Sequence, residues 1–99
     1  MEQISYRYSA AEPAAQRALA GVVSSGDLEV LLEPNTAGST TILVNTSVSG
    51  RRHIWNALLN RIFATSTLPA ARMEINDCGA TPGVVRMRIE QAFEEAKGQ

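Results

Sequence analysis

Between Val48 and Ile54 the spacing of the apolar residues changes, and that change restricts the fold more than any other feature of the chain. Ile42, Val44, Thr46 and Val48 recur at every second position, with Leu43, Asn45 and Ser47 between them. That is the period of a strand with one face buried. After Ser49-Gly50, Ile54, Leu58 and Ile62 stand four apart with Trp55 and Leu59 beside them, the period of a helix with one apolar stripe. A chain that holds both patterns across one short break must stack helices on a sheet.

The other segments extend this plan. Ile4, Tyr6 and Tyr8 alternate with Ser5 and Arg7, predicting a first strand. After Pro13, "AAQRALAG" favours a turn of helix by composition and ends at Gly21. Leu28, Val30 and Leu32 predict a strand that Pro34 stops, and "PNTAGS" reads as a loop joining it to the 42–48 strand in a hairpin. Met73 and Ile75 give a further strand that ends at "NDCG". Thr81-Pro82 has the form of an N-cap followed by proline at the first helical position. Val85, Ile89, Ala92, Phe93 and Ala96 then form one stripe, leaving Arg86, Arg88, Glu90, Glu94 and Glu95 for solvent. The expected class is α+β: a two-layer sandwich of a mostly antiparallel sheet with two amphipathic helices on one face.

Residues 1–99 have the length of one domain. A formal charge of −1 lacks the basic excess that nucleic-acid binding requires. A lone cysteine, Cys78, permits no internal disulfide and no cysteine-based zinc site, and no metal site is expected. No apolar run approaches the ~20 residues that cross a bilayer. The beginning "MEQISYRYSAAEP" has no charged-then-apolar secretory plan, so the expected location is the cytoplasm, with no membrane partner.

Three places invite chemistry. Ser25, His53 and Asp77 are the residue types of a hydrolytic triad, but Ser25 lacks the G-x-S-x-G elbow, and His53 reads as an exposed residue of a first helical turn. Arg51 and Arg52 begin a helix, where cations oppose the macrodipole, which points to docking on an acidic or phosphorylated partner. The third is Ser24-Ser25-Gly26-Asp27, between two apolar runs. As composition it is a turn, and nothing in composition ranks Ser25 above Ser24.

The wording of "VVSSGDLEVLLEP", "VNTSVSGRRHIWNALLNRIF" and "INDCGATPGVVRMRIEQAFEE" resembles the acyl-carrier (delta) subunit of bacterial malonate decarboxylase from Val22 to about Glu95. The blocks "SGDLEV" and "NDCGATPGVV" occur in the family's order. The "SGDLEV"-like segment is shared more distantly with the acyl-carrier (gamma) subunit of citrate lyase. Cys78 departs from the pattern, standing where an apolar or aromatic residue is expected.

The resemblance implies a non-catalytic carrier of a phosphoribosyl-dephospho-CoA group, joined by a phosphodiester to the serine directly before Gly-Asp, which is Ser25. Gly26 is then there to keep the approach clear, and Asp27 to orient the hydroxyl or meet a metal in the transferase. The implied partners are a holo-carrier synthase that attaches the group, an acetyl/malonyl transferase subunit and the decarboxylase subunits. The arm's thiol bears acetyl or malonyl while malonate is converted to acetate and CO2. A citrate-lyase-type carrier and a small interaction module without a cofactor are the alternatives.

Overall fold

The structure is a computed structural model that describes residues 1–64 and 67–98. In chain order the elements are β1 (Glu2–Ser9), β2 (Ala18–Gly21), β3 (Asp27–Pro34), β4 (Ser39–Thr46), α1 (Arg52–Ala64), β5 (Ala71–Cys78) and α2 (Pro82–Ala96). The five strands form one sheet in the order β1-β4-β5-β3-β2. Its pairs are antiparallel except β4 with β5, which run parallel and are joined through α1. The expected α+β layering is therefore the observed one.

Alternation decides which face of the sheet is covered. Ile4, Leu28, Val30, Leu32, Ile42, Val44, Met73 and Ile75 are buried on one side. Trp55, Leu59, Ile62 and Phe63 of α1 close over them together with the whole predicted α2 stripe, Val85, Ile89, Ala92, Phe93 and Ala96. Each large side chain buried this way contributes roughly 1.5–3 kcal/mol, so this single layer holds the fold. Phe63 links the helices to the sheet, stacked on Tyr8 at 5.1 Å and edge-on to Phe93 at 5.8 Å between ring centroids. Tyr8 donates its hydroxyl to Asn60 Oδ1 at 2.7 Å, so its ring packs while its polar end stays satisfied.

The uncovered face is polar by design of the same alternation. Gln3, Asn45, Asn76 and Glu29 lie side by side on four strands and form a directional chain. Gln3 Nε2 donates to Asn45 Oδ1 at 2.8 Å, Asn45 Nδ2 to Asn76 Oδ1 at 3.0 Å, and Asn76 Nδ2 to Glu29 Oε1 at 3.0 Å.

Two local expectations are corrected. Ala18–Gly21 is an edge strand paired with β3, not a helical turn. Ala18 and Ala20 point inward against α2, and cross-strand pairing overrides the helical preference of a segment too short to nucleate a helix alone. The segments around residues 28–32 and 42–48 do not form a hairpin: β5 lies between them, pairing with β3 on one edge and β4 on the other. Adjacency along the chain suggested the hairpin, whereas the parallel β4–α1–β5 crossover places β5 beside β4 and leaves β3 to pair with the other edge of β5.

Thr81 caps α2 as expected, its side-chain oxygen accepting the Val84 N–H at 3.3 Å. Thr81→Ala should cost about 1 kcal/mol. A thermal melt should show this as a midpoint lowered by about 4–8 °C.

Candidate functional site

The segment between β2 and β3 is held by its backbone and left bare at its side chains. Ser24 N–H donates to Val22 O at 3.0 Å, and Asp27 N–H donates to Ser24 O at 2.9 Å, closing a four-residue β-turn over Ser25 and Gly26. Gly26 has φ +79°, the conformation that a type II turn requires at its third residue and that glycine adopts without strain. Gly26 N–H donates to Cys78 O at 2.8 Å, and Asp27 bridges Gly79, so the turn is pinned to the end of the central strand β5. Ser25 occupies the outer corner. Its side chain is exposed, and its hydroxyl makes no hydrogen bond among the described residues. Ser24 has its N–H and its carbonyl engaged in the turn, while its hydroxyl is likewise exposed and without a hydrogen bond among the described residues.

Asp27 turns inward from this corner. Its Oδ1 accepts the Leu28 N–H at 2.7 Å and Arg88 Nε at 3.1 Å, while Oδ2 accepts Arg88 Nη2 at 2.7 Å. This is the bidentate fork that guanidinium and carboxylate form best. The pair is mostly sheltered, at 24% exposure for the Arg88 side chain and 19% for that of Asp27. The Arg88 hydrogen bonds, then the Leu28 N–H, hold the Asp27 carboxyl below its ordinary pKa; the hydrogen bonds to Asp27 in turn raise that of Arg88. Arg88 Nη1 is steadied by Gln91 Oε1 at 3.0 Å. Arg88 is thus not on the solvent side, as its place outside the apolar stripe suggested. Asp27 spends its oxygens on Arg88 and Leu28 rather than on the Ser25 hydroxyl. No local pattern announces this contact, because the partners lie 61 residues apart.

The end of β5 is shaped by Asp77, which is buried. Thr46 Oγ1 donates to its Oδ2 at 2.8 Å, and the N–H groups of Gly79 and Ala80 donate to its carboxylate at 3.3 and 3.0 Å. Asp77 therefore folds the strand end instead of partnering His53, which is exposed and whose side chain makes no hydrogen bond among the described residues. No hydrogen bond links Ser25, His53 and Asp77 into a triad. Among the described residues no group of three His, Cys, Asp or Glu is placed to hold a metal ion.

The two arginines part company. Arg51 lines a shallow cleft with Val48, Trp55, Gly79, Pro82 and Val85, and Gly79 is also the bridge partner of Asp27. Arg51 therefore shares the end of the sheet that carries the turn. Arg52 instead faces Glu2 at 3.9 Å on β1, the edge strand farthest from β2. Four exposed apolar side chains, Leu19, Leu31, Val22 and Val23, lie on β2 and β3 and in the approach to Ser24. The sequence reading did not single out this exposure.

Comparison with known proteins places the chain closely. Residues 15–96 match the family described as malonate decarboxylase delta subunit (MdcD). The chain is 56% identical over 95 residues to a malonate decarboxylase acyl carrier protein of Pseudomonas fluorescens (strain SBW25), covering 96% of each chain. Its identity is 57% over 96 residues to one of Pseudomonas aeruginosa (strain UCBPP-PA14), covering 97% of each. Among solved structures it superposes with a TM-score of 0.93 and 52% identity on a chain from the crystal structure of a Pseudomonas malonate decarboxylase hetero-tetramer in complex with malonate. That superposition covers 97% of this chain and 99% of the other.

The turn yields two tests of its own. A Cβ on Gly26 would meet nothing within 4 Å, so Gly26→Ala should cost only its backbone strain, about 1–2 kcal/mol. A Cβ on Gly21 would collide with the Leu28 carbonyl oxygen, so Gly21→Ala should cost about 3 kcal/mol or more in denaturant titration. The second test concerns pH. Because folding lowers the Asp27 pKa, its ion pair stabilises fully above the unfolded value of about 3.9 and is lost as pH falls through the folded value. Wild type should therefore exceed Asp27→Asn in stability at neutral pH, and the gap should shrink as pH falls below the ordinary aspartate range and through the lowered folded value.

Proposed function

The chain belongs to the malonate decarboxylase delta-subunit family, and from that membership we propose that residues 1–99 act as one acyl-carrier domain whose working group is esterified to Ser25. The observation that carries this reading is the Ser25 hydroxyl: exposed, unbonded, and set at the corner of a turn whose backbone is tied to β5. A phosphoribosyl-dephospho-CoA group fits such a point, because Ser25 and its neighbours Ser24 and Gly26 are all exposed, which leaves the approach of a bulky donor open. When bound, the group supplies a thiol whose thioester carbonyl delocalises the charge that develops as CO2 leaves malonate.

The chain's own contribution is position. Ser25 Oγ is the nucleophile toward the donor phosphorus, and the tied backbone holds it still. Once loaded, the corner serves as a tether that keeps the acyl end at high effective concentration among successive active sites.

Those partners are a holo-carrier synthase that loads the group, an acetyl/malonyl transferase subunit and the decarboxylase subunits. All must approach the end of the sheet that holds Ser25, where Arg51 and the exposed Val22 and Val23 stand ready for contact. Arg51 acts there as a rim charge that tunes encounter rates. The setting is the cytoplasm, consistent with one unpaired thiol; no helix among the described residues is long and apolar enough to cross a membrane. The matched family favours malonate over a citrate-lyase-type carrier.

Intact mass provides the test. Coexpression with the synthase and the donor-forming enzyme should add one coenzyme-derived adduct to wild type and to Ser24→Ala, and none to Ser25→Ala. An adduct that persists in Ser25→Ala would relocate the site, and the absence of any adduct from wild type would leave a small interaction module without a cofactor.

A further inference from the structure

Arg88 touches both legs of the loop that presents Ser25. On the outgoing leg it grips Asp27 with two nitrogens, at 3.1 and 2.7 Å. On the incoming leg its Cδ lies 3.2 Å from where a Cβ of Gly21 would stand, so the bare backbone at Gly21 is what lets the side chain pass. Arg88 itself stands on firm ground, between the buried Val85 and Ala92 on a capped helix, with Gln91 holding its third nitrogen. Residues 22–26 are all exposed, so no packing fixes them. Apart from backbone hydrogen bonds, the grip on Asp27 is the side-chain anchor of this loop.

Two serines compete for the corner. In the observed register Ser24 is first, Ser25 second and Gly26 third, with Asp27 as the fourth residue. A slip by one residue would put Ser24 at the corner and Ser25 at the third position, where positive φ is costly for any residue with a Cβ. Gly26 disfavours that slip through its conformation, and Asp27, once held by Arg88, opposes it by position.

We infer that Arg88 is a positioning residue for the loading of this carrier: by clamping Asp27 it sets the register of the turn and so selects Ser25 over Ser24. The inference rests on the reading of Ser25 as the attachment point. In the loading step Ser25 Oγ forms a new P–O bond to a phosphoanhydride-activated nucleotide donor. The anhydride P–O bond breaks with its electron pair leaving on the departing phosphate, and the hydroxyl proton passes to a base of the synthase. Such in-line attack needs the oxygen within a few tenths of an ångström of its place, which a loose loop does not supply. Arg88 makes no hydrogen bond to the hydroxyl and acts on it through Asp27.

The test loads the full chain with the synthase and its nucleotide donor, following intact mass over time and mapping the adduct by tandem mass spectrometry. Wild type should carry the group on Ser25 only. Arg88→Ala should load about ten-fold more slowly or worse, with part of the adduct on Ser24. Arg88→Lys keeps the charge without the fork and should fall between. Tyr8→Phe loses a hydrogen bond on the far side of the fold and should load like wild type on Ser25, separating positioning from general destabilisation. Should Arg88→Ala not fold, Asp27→Asn, which weakens the same grip, should show the same slowing and the same leak to Ser24. Wild-type rates with all adduct on Ser25 in the Arg88 and Asp27 variants would overturn the role of Arg88 while leaving the attachment site intact. A wild-type adduct mapped to any residue other than Ser25 would instead remove the attachment reading, and this inference with it.

Discussion

β5 hydrogen-bonds along both edges, to β4 in parallel and to β3 antiparallel, and the rest of the molecule is arranged by that pairing. Its inward residues, Ala71, Met73, Ile75 and Asp77, are buried. Being central, it has no free edge to adapt, so its neighbours take their register from it. Its last carbonyl, that of Cys78, receives the N–H of Gly26. Asp77 directs the residues that follow into α2 by accepting from Gly79 and Ala80. The strand that holds the sheet together also holds the corner on which Ser25 stands.

This arrangement separates two demands that the proposed tethering point would make. The backbone must be still, so that an incoming enzyme finds the hydroxyl in one place. The side chain must be free, so that a large group can be added and then swing. Hydrogen bonds from the loop backbone and the ion pair between Asp27 and Arg88 meet the first demand without covering Ser25. A serine packed in the core would meet the first and fail the second; one on a flexible tail would do the reverse.

The asymmetry of the sheet serves the same end. Both helices lie on one face, and both begin at the end of the sheet where the turn lies: α1 follows the end of β4, and α2 follows the end of β5. The other face carries a chain of amide and carboxylate contacts from Gln3 to Glu29, with Leu19 and Leu31 exposed beside it on β2 and β3. The proposed attachment point thus shares one end of the molecule with the starts of both helices.

Much of this was legible in order and type. The period of two in β1, β3, β4 and β5 and the period of four in the helices follow from which side chains must leave water, and the cap at Thr81 follows from local hydrogen bonding. The special status of "SSGD" came from its resemblance to a family, since a turn that works and a turn that merely connects have the same composition. Long-range pairing was out of reach. The neighbours of β3, the extended form of Ala18–Gly21 and the recruitment of Arg88 by Asp27 depend on which elements meet in space. Periodicity records how each residue stands toward water, a property of its own segment. It does not record which partner waits there, so the choice of neighbours, and with it the fixing of Ser25, fell to the tertiary structure.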